Sequence, residues 1–162
     1  MDFFYPNYIN DMWRIYGLLF FQNRDYFVDV ENRVFKREMI ISFLQEKGIA
    51  LYDTASAVVR TTHTAADKDL EVYTPTALDD LLRRIPQCTH VVTTGQLATD
   101  VFTAHYQMRQ PKIGQCEPFK LDGRSLFLYR MPSSSRAYPM KLERKAEYYR
   151  QMLLDIGILR EG

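Results

Sequence analysis

His63, His90, His105, Cys88 and Cys116 are the side chains that most readily bind metal or act as nucleophiles. They share no metal-ligand spacing and form no Cys-x-x-Cys pair, so no metal site is expected. Neither Gly-x-Gly-x-x-Gly nor Gly-x-x-x-x-Gly-Lys-Ser/Thr occurs, so the loops that cradle dinucleotides and nucleoside triphosphates are missing. What remains is short polar chemistry at the ends of apolar runs. Asp53 closes Ile49-Ala50-Leu51-Tyr52, Thr93-Thr94-Gly95 closes His90-Val91-Val92, and Pro132-Ser133-Ser134-Ser135-Arg136 follows the run that ends at Met131. Serine hydroxyls and backbone amides ahead of a helix suit phosphate oxygens. The same five residues also read as a surface turn with helix-capping serines. Asn10 carries both a donor and an acceptor and precedes an apolar run, which fits a helix N-cap, a place open to Asp11 as well, as readily as a binding group. Asp53 could order water or cap the next turn, and capping is the plainer role. Thr93 and Thr94 also read as ordinary β-branched strand residues.

The elements that must hold these residues follow from periodicity. Met12, Trp13, Ile15, Tyr16, Leu18 and Leu19 recur at helical spacing, which predicts a helix over residues 10–21 with Trp13 in the core. A second helix is expected over 35–47 from Met39, Ile40, Phe43 and Leu44, with Gly48 just past its end. Residues 49–53 read as a buried strand and 54–73 as a polar, alanine-rich loop. Thr76 is placed to cap a helix over 77–85 carrying Leu78, Leu81 and Leu82, which Pro86 closes. A strand over 90–95, a helix over 96–106 with its pattern carried by Leu97, Val101 and Phe102, a looser stretch with Pro111 and Pro118, and a strand over 125–131 follow. A charged amphipathic helix over 139–156 completes the pattern. Strands alternating with helices predict an α/β fold, three layers deep, with a short and mostly parallel sheet. In such sheets ligands sit beyond the carboxyl ends of the strands, where the polar residues above are found.

Composition sets the wider limits. With 162 residues, 46% of them apolar and 14% aromatic, the chain can build a real core, and one domain over residues 1–162 is expected. The formal net charge is +1, so any phosphate-binding face must be local. The clearest bias is near the end, in Arg124, Arg130, Arg136, Lys141, Arg144, Lys145, Arg150 and Arg160, although a solvated helix face accounts for several of these equally well. The longest early apolar stretch, residues 15–21, is shorter than the roughly 20 residues a membrane span needs. No membrane partner is expected, and a reducing cytoplasm is the simplest location.

Four segments, taken together and in order, resemble the mismatch-specific and hypoxanthine branch of the uracil-DNA glycosylase superfamily. Phe3-Phe4-Tyr5-Pro6 with Asn10-Asp11-Met12-Trp13 is similar to an aromatic-Pro stretch followed by Asn-x-Phe-Trp. Gly48-Ile49-Ala50-Leu51-Tyr52-Asp53 is similar to Gly-Ile-Ala-Leu-Trp-Asp, and Val91-Val92-Thr93-Thr94-Gly95-Gln96-Leu97-Ala98 to a later strand ending in Asn-Gly. Met131-Pro132-Ser133-Ser134-Ser135-Arg136-Ala137, with Glu143-Arg144-Lys145 after it, resembles the Leu-Pro-Ser-Thr-Ser-Pro-Ala loop and its helix. Each fragment alone is weak; four in register are moderately specific.

The resemblance implies an enzyme that flips a deaminated base, uracil or hypoxanthine, out of DNA and hydrolyses its N-glycosidic bond. Asn10 maps to the catalytic asparagine, orienting water or holding the departing base. Phe3, Phe4 and Tyr5 would supply the stacking face, with Thr93 and Thr94 also at the base pocket, where relatives often carry Phe-Asn. Phe3, Phe4 and Tyr5 read equally as core or as a terminus. Pro132, Ser133, Ser134, Ser135 and Arg136 would press into the minor groove and grip phosphates. Asp67 stands where relatives carry Asp-Ser and is ambiguous. No cofactor is implied, and two cysteines cannot hold the four-cysteine iron-sulfur cluster of sister families. The family's first strand and Gly-x-x-Pro loop are not present ahead of Phe3. The sheet is therefore expected to lack its first strand, either from a truncated start or with the gap closed by another subunit, and a monomer or a dimer is equally expected. Two other readings stand beside the enzyme: a non-catalytic DNA-binding module of the same fold, and an unrelated doubly wound domain binding a small nucleotide.

Overall fold

A computed structural model of the chain describes Tyr8, residues 10–51 and residues 76–160, the side chains of residues 76 and 77 excepted. The first helix, α1 (Met12–Phe21), buries Met12, Trp13, Ile15 and Tyr16. It ends where Gln22 turns left-handed at φ 54° and its N–H reaches the Leu18 carbonyl at 3.1 Å. The chain then folds back so closely over Gly17 that a Cβ there would lie 2.6 Å from the Asn23 carbonyl oxygen. Glycine at this helical position is thus a packing requirement.

Two short strands follow, β1 (Val28–Asp29) and β2 (Val34–Phe35), paired antiparallel with Val28 opposite Phe35. Asp29 closes their turn by accepting hydrogen bonds from the Asn32 backbone N–H at 3.1 Å and side-chain amide at 2.8 Å. Two-residue strands leave no periodicity in the sequence, and Phe35, expected at the start of the second helix, belongs to β2 instead. Helix α2 (Arg37–Lys47) buries Ile40, Phe43 and Leu44 and stops at Gly48, φ 70°, as its glycine predicted. Met39, expected to face inward, is exposed. Residues 49–51 form no strand pairing among the described residues, and Tyr52 and Asp53 lie outside them.

The second half runs α3 (Thr76–Arg84), β3 (His90–Thr94), α4 (Gln96–His105), β4 (Cys116–Leu121), β5 (Arg124–Met131) and α5 (Leu142–Asp155). The expected Thr76 cap rests on a side chain outside the described ones. The strand order is β3-β5-β4, with β3 parallel to β5 and β4 antiparallel to it. The described sheet is therefore mixed, where the sequence reading expected it to be mostly parallel.

The antiparallel member is β4, a strand where Pro111 and Pro118 in the sequence predict a looser stretch. Asp122 and Gly123 both have positive φ, 53° and 77°, and join β4 to β5 in the two-residue turn that Asp-Gly favours. Pro118 is tolerated because β4 has a neighbour on one side only among the described residues.

Two cores form. Trp13, Ile15, Ile40, Leu44, Tyr149 and Leu153 lie in one, shared by α1, α2 and α5; Leu78, Leu82, Phe102, Phe119, Leu126 and Leu128 lie in the other. Side chains alternate along β5, so Leu126 and Leu128 belong to the second core while Tyr129 and Met131 pack with the first. Both cores are thereby tied to the strand whose end leads into the serine loop.

Candidate nucleic-acid interface

Three segments remote in sequence meet at the carboxyl ends of β3 and β5. Asn10 forms an isolated antiparallel bridge with Ser135, and the Asp11 N–H donates to the Ser134 carbonyl at 2.7 Å. The Gly95 N–H donates to the Met131 carbonyl at 3.2 Å, and Gly95 faces Ser133. The 132–136 loop thus lies between the start of α1 and the start of α4.

The loop is internally braced. Ser133 Oγ accepts from the Ser135 N–H at 3.2 Å, and Ser135 Oγ accepts from the Ala137 N–H at 3.3 Å. Pro132 and Ser134 are buried, and Tyr149 Oη donates to the Pro132 carbonyl at 3.4 Å. Ser133 and Ser135 are half-buried and Arg136 is exposed. The loop is thus held at both ends, with Ser134 turned inward and Arg136 turned to solvent.

Charge beneath the loop is concentrated and unequal. Asp11 is buried and meets three cations: Lys145 Nζ at 3.3 Å, Arg136 Nε at 3.4 Å and Arg14 Nη1 at 3.7 Å. Lys145 is fully buried and also donates to the Ser135 carbonyl at 2.8 Å. Arg14 donates to the carbonyls of Tyr8 at 2.8 Å and Asn10 at 3.0 Å. Its guanidinium lies 4.6 Å from the Tyr8 ring centroid and 5.2 Å from that of Phe35. Burial, then the nearby Arg136 guanidinium, lowers the Arg14 pKa from its usual value. Three cations around one carboxylate leave a local excess of positive charge, and Arg136 is the member that reaches solvent.

Asn10 itself is half-buried, and its Oδ1 accepts from the Met12 N–H at 2.9 Å. The side chain therefore braces the first turn of α1, while Asp11, at the N-cap position, makes no capping bond. The Asn10 Nδ2 group makes no hydrogen bond among the described residues. Thr93 is buried, and its hydroxyl pairs with that of Thr99 at 2.9 Å, locking β3 to α4. Thr94 lies opposite Met131 in the β3–β5 register. Phe3, Phe4, Tyr5, Asp53 and Asp67 lie outside the described residues.

Beside Gly95, Arg130 Nη2 donates to Gln96 Oε1 at 2.6 Å and Nη1 to the Pro111 carbonyl at 3.2 Å. Asp100 accepts from Gln110 and Gln96 at 2.8 and 2.7 Å, and these bonds lower its pKa from the usual carboxylate value. Within this group the sequence marks only Arg130, as one of the late basic residues; it marks Asp11 only as a cap candidate and Arg14 not at all. Of the basic residues noted near the end, Arg124 is structural, donating to the Leu82 and Cys88 carbonyls. Arg136, Lys141 and Arg144 remain exposed between the loop and the first turn of α5.

No group of metal-binding side chains occurs among the described residues, and no helix among them is long and apolar enough to cross a membrane. The geometry offers a braced, partly buried serine loop ending on exposed Arg136, a cluster with excess positive charge and an amide held next to both. Comparison of the chain with family models, curated proteins and solved structures finds no match.

Proposed function

We propose that this chain is a DNA glycosylase, with the three-layer fold of the uracil-DNA glycosylases, that removes a deaminated base, uracil or hypoxanthine. The observation that carries the reading is the Asn10–Ser135 bridge. The resemblance assigns catalysis to Asn10 and DNA contact to the 132–136 loop, and these segments, 125 residues apart, lie side by side. Their proximity is what a flipped nucleotide requires, because its base and its flanking phosphates must be held at once.

In this mechanism Arg136, Lys141 and Arg144, with the partly accessible Ser133 and Ser135, hold the backbone on either side of the target. Asn10 Nδ2 donates to the departing base as negative charge builds on it. Preorganised donors aimed at developing charge supply the main stabilisation, so a strong general base is not required. The reading assigns no cofactor, and it places the protein in the cytoplasm with DNA containing a damaged or mismatched base as its partner.

A second reading, a DNA-binding module without turnover, is favoured by one specific contact. Asn10 Oδ1 is already engaged by the Met12 N–H, which is the plain helix-bracing role. Two assays on one duplex separate the readings. Release of free base from a site holding uracil or deoxyinosine supports the glycosylase; tight binding with no release supports the module. Absence of both, with binding of a small nucleotide, would overturn both in favour of an unrelated doubly wound domain.

A further inference from the structure

Helix α5 presents Leu142, Ala146, Tyr149, Met152 and Leu153 to the first core, and Lys145 occupies a position on that same stripe. A lysine there is costly, since burying an ammonium forfeits its hydration. Its contacts show what the position does. Nζ reaches the Ser135 carbonyl at 2.8 Å and Asp11 Oδ2 at 3.3 Å, and it lies 5.9 Å from the centroid of the Tyr138 ring. One side chain thus joins α5, the loop and the start of α1.

The charge arrangement gives a second consequence. Asp11 has two buried cations, Lys145 and Arg14, before Arg136 is counted. Arg136 is the third, with a side chain 48% exposed and a single oxygen of Asp11 at 3.4 Å. Because the carboxylate is already balanced, Arg136 can leave it without stranding a buried charge.

We propose that Lys145 is a positioning residue: it holds the loop against Asn10 through Ser135, and it balances Asp11 so that Arg136 is available to an incoming phosphate. The second part rests on the DNA reading above; the first does not. Lys145 itself touches no ligand.

The test uses the full chain and two readouts. Hydrogen exchange of the Asp11 amide, which donates to the Ser134 carbonyl at 2.7 Å, reports the seam between loop and helix without any ligand. Lys145→Met is expected to speed it roughly tenfold or more, the scale of a lost charged hydrogen bond. The Phe127 amide, bonded to the Thr89 carbonyl at 3.0 Å, is expected to keep its protection. Should Lys145→Met fail to fold by circular dichroism, Asp11→Asn with Lys145→Met removes both charges and is expected to show the same opening. An Asp11 amide that keeps wild-type exchange in a folded variant would overturn the proposal.

The second readout is the salt dependence of binding to a short duplex. Lys145→Met and Arg136→Gln are each expected to reduce the slope of log K against log salt by about 0.9, one phosphate's worth, and the double variant to reduce it no further. A wild-type slope in folded Lys145→Met, or additive losses, would overturn the phosphate half of the proposal. If the wild-type chain binds no duplex, the DNA reading falls, and with it the phosphate half, while exchange alone decides the strap.

Discussion

Two ion pairs in this protein have opposite rankings by distance and by burial, and removing one carboxylate from each sets the rankings against each other. Asp122 receives Arg83 Nε at 2.7 Å and Nη2 at 3.3 Å, a close two-pronged contact, but both side chains are about half exposed. Asp11 meets Lys145 at a longer 3.3 Å, yet Lys145 is fully buried and the Asp11 side chain is 7% exposed. Asp11→Ala would leave Lys145 with the Ser135 carbonyl as its remaining acceptor among these contacts. Arg14 would keep the Tyr8 and Asn10 carbonyls. A buried ion stripped of its partner costs about 3–5 kcal/mol. Because both cations retain acceptors, the lower end, about 3 kcal/mol, is expected for Asp11→Ala. Asp122→Ala is expected to cost far less, since water replaces an exposed partner and the pair is screened. Urea denaturation of the two variants, with unchanged denaturant slope, measures both losses. Equal losses, or a larger loss at Asp122, would refute the argument that burial outranks distance here.

Three further outcomes follow from local geometry. Gly17→Ala places a methyl 2.6 Å from the Asn23 carbonyl oxygen, and about 1–3 kcal/mol of destabilisation is expected by thermal or urea unfolding. At Gly123 the space is open but φ is 77°, so Gly123→Ala is expected to cost about 1–2 kcal/mol from conformation alone. Gly123→Asn should recover much of that, since asparagine tolerates the left-handed region. Burial pushes the Asp79 carboxyl up, but hydrogen bonds from His105 at 2.9 Å and Tyr106 at 2.8 Å outweigh it and hold its pKa below the usual value. Its contribution is therefore present above the ordinary carboxylate pKa and is lost as pH falls through the lowered one. Urea midpoints followed down the acid limb are expected to fall less steeply in Asp79→Asn than in wild type, and an unchanged slope would contradict the assignment.

Legibility in the sequence tracked how strongly each element depends on apolar spacing. Helices α1, α2 and α5 and strand β5 are carried by recurrent buried residues such as Trp13, Ile40, Tyr149 and Leu128, and spacing located them. Leu97 misled in detail: it keeps the helical pattern of α4 yet is 44% exposed, because periodicity marks a face without showing how far its cover extends. Strand β4 was lost to Pro118, although Asp122-Gly123 carried the turn signal that would have recovered it. The charge cluster was hidden by the ordinary expectation that Lys145 and Asp11 face water. The available clue was a lysine three residues after Leu142 and four before Tyr149, on the stripe those residues bury. Nothing in the spacing of Asp11 and Lys145, 134 residues apart, could pair them.

The most direct test of the central claim is the single-turnover release of free base from a duplex holding one uracil or one deoxyinosine, compared between the wild-type chain and a folded Asn10→Ala variant. Release from at least one of the two duplexes is expected, at a rate that falls about a hundredfold or more without the Asn10 amide, the scale of a lost oxyanion-type donor. Release that proceeds equally in Asn10→Ala would contradict the assigned site, and no release by the wild-type chain from either duplex would contradict the activity.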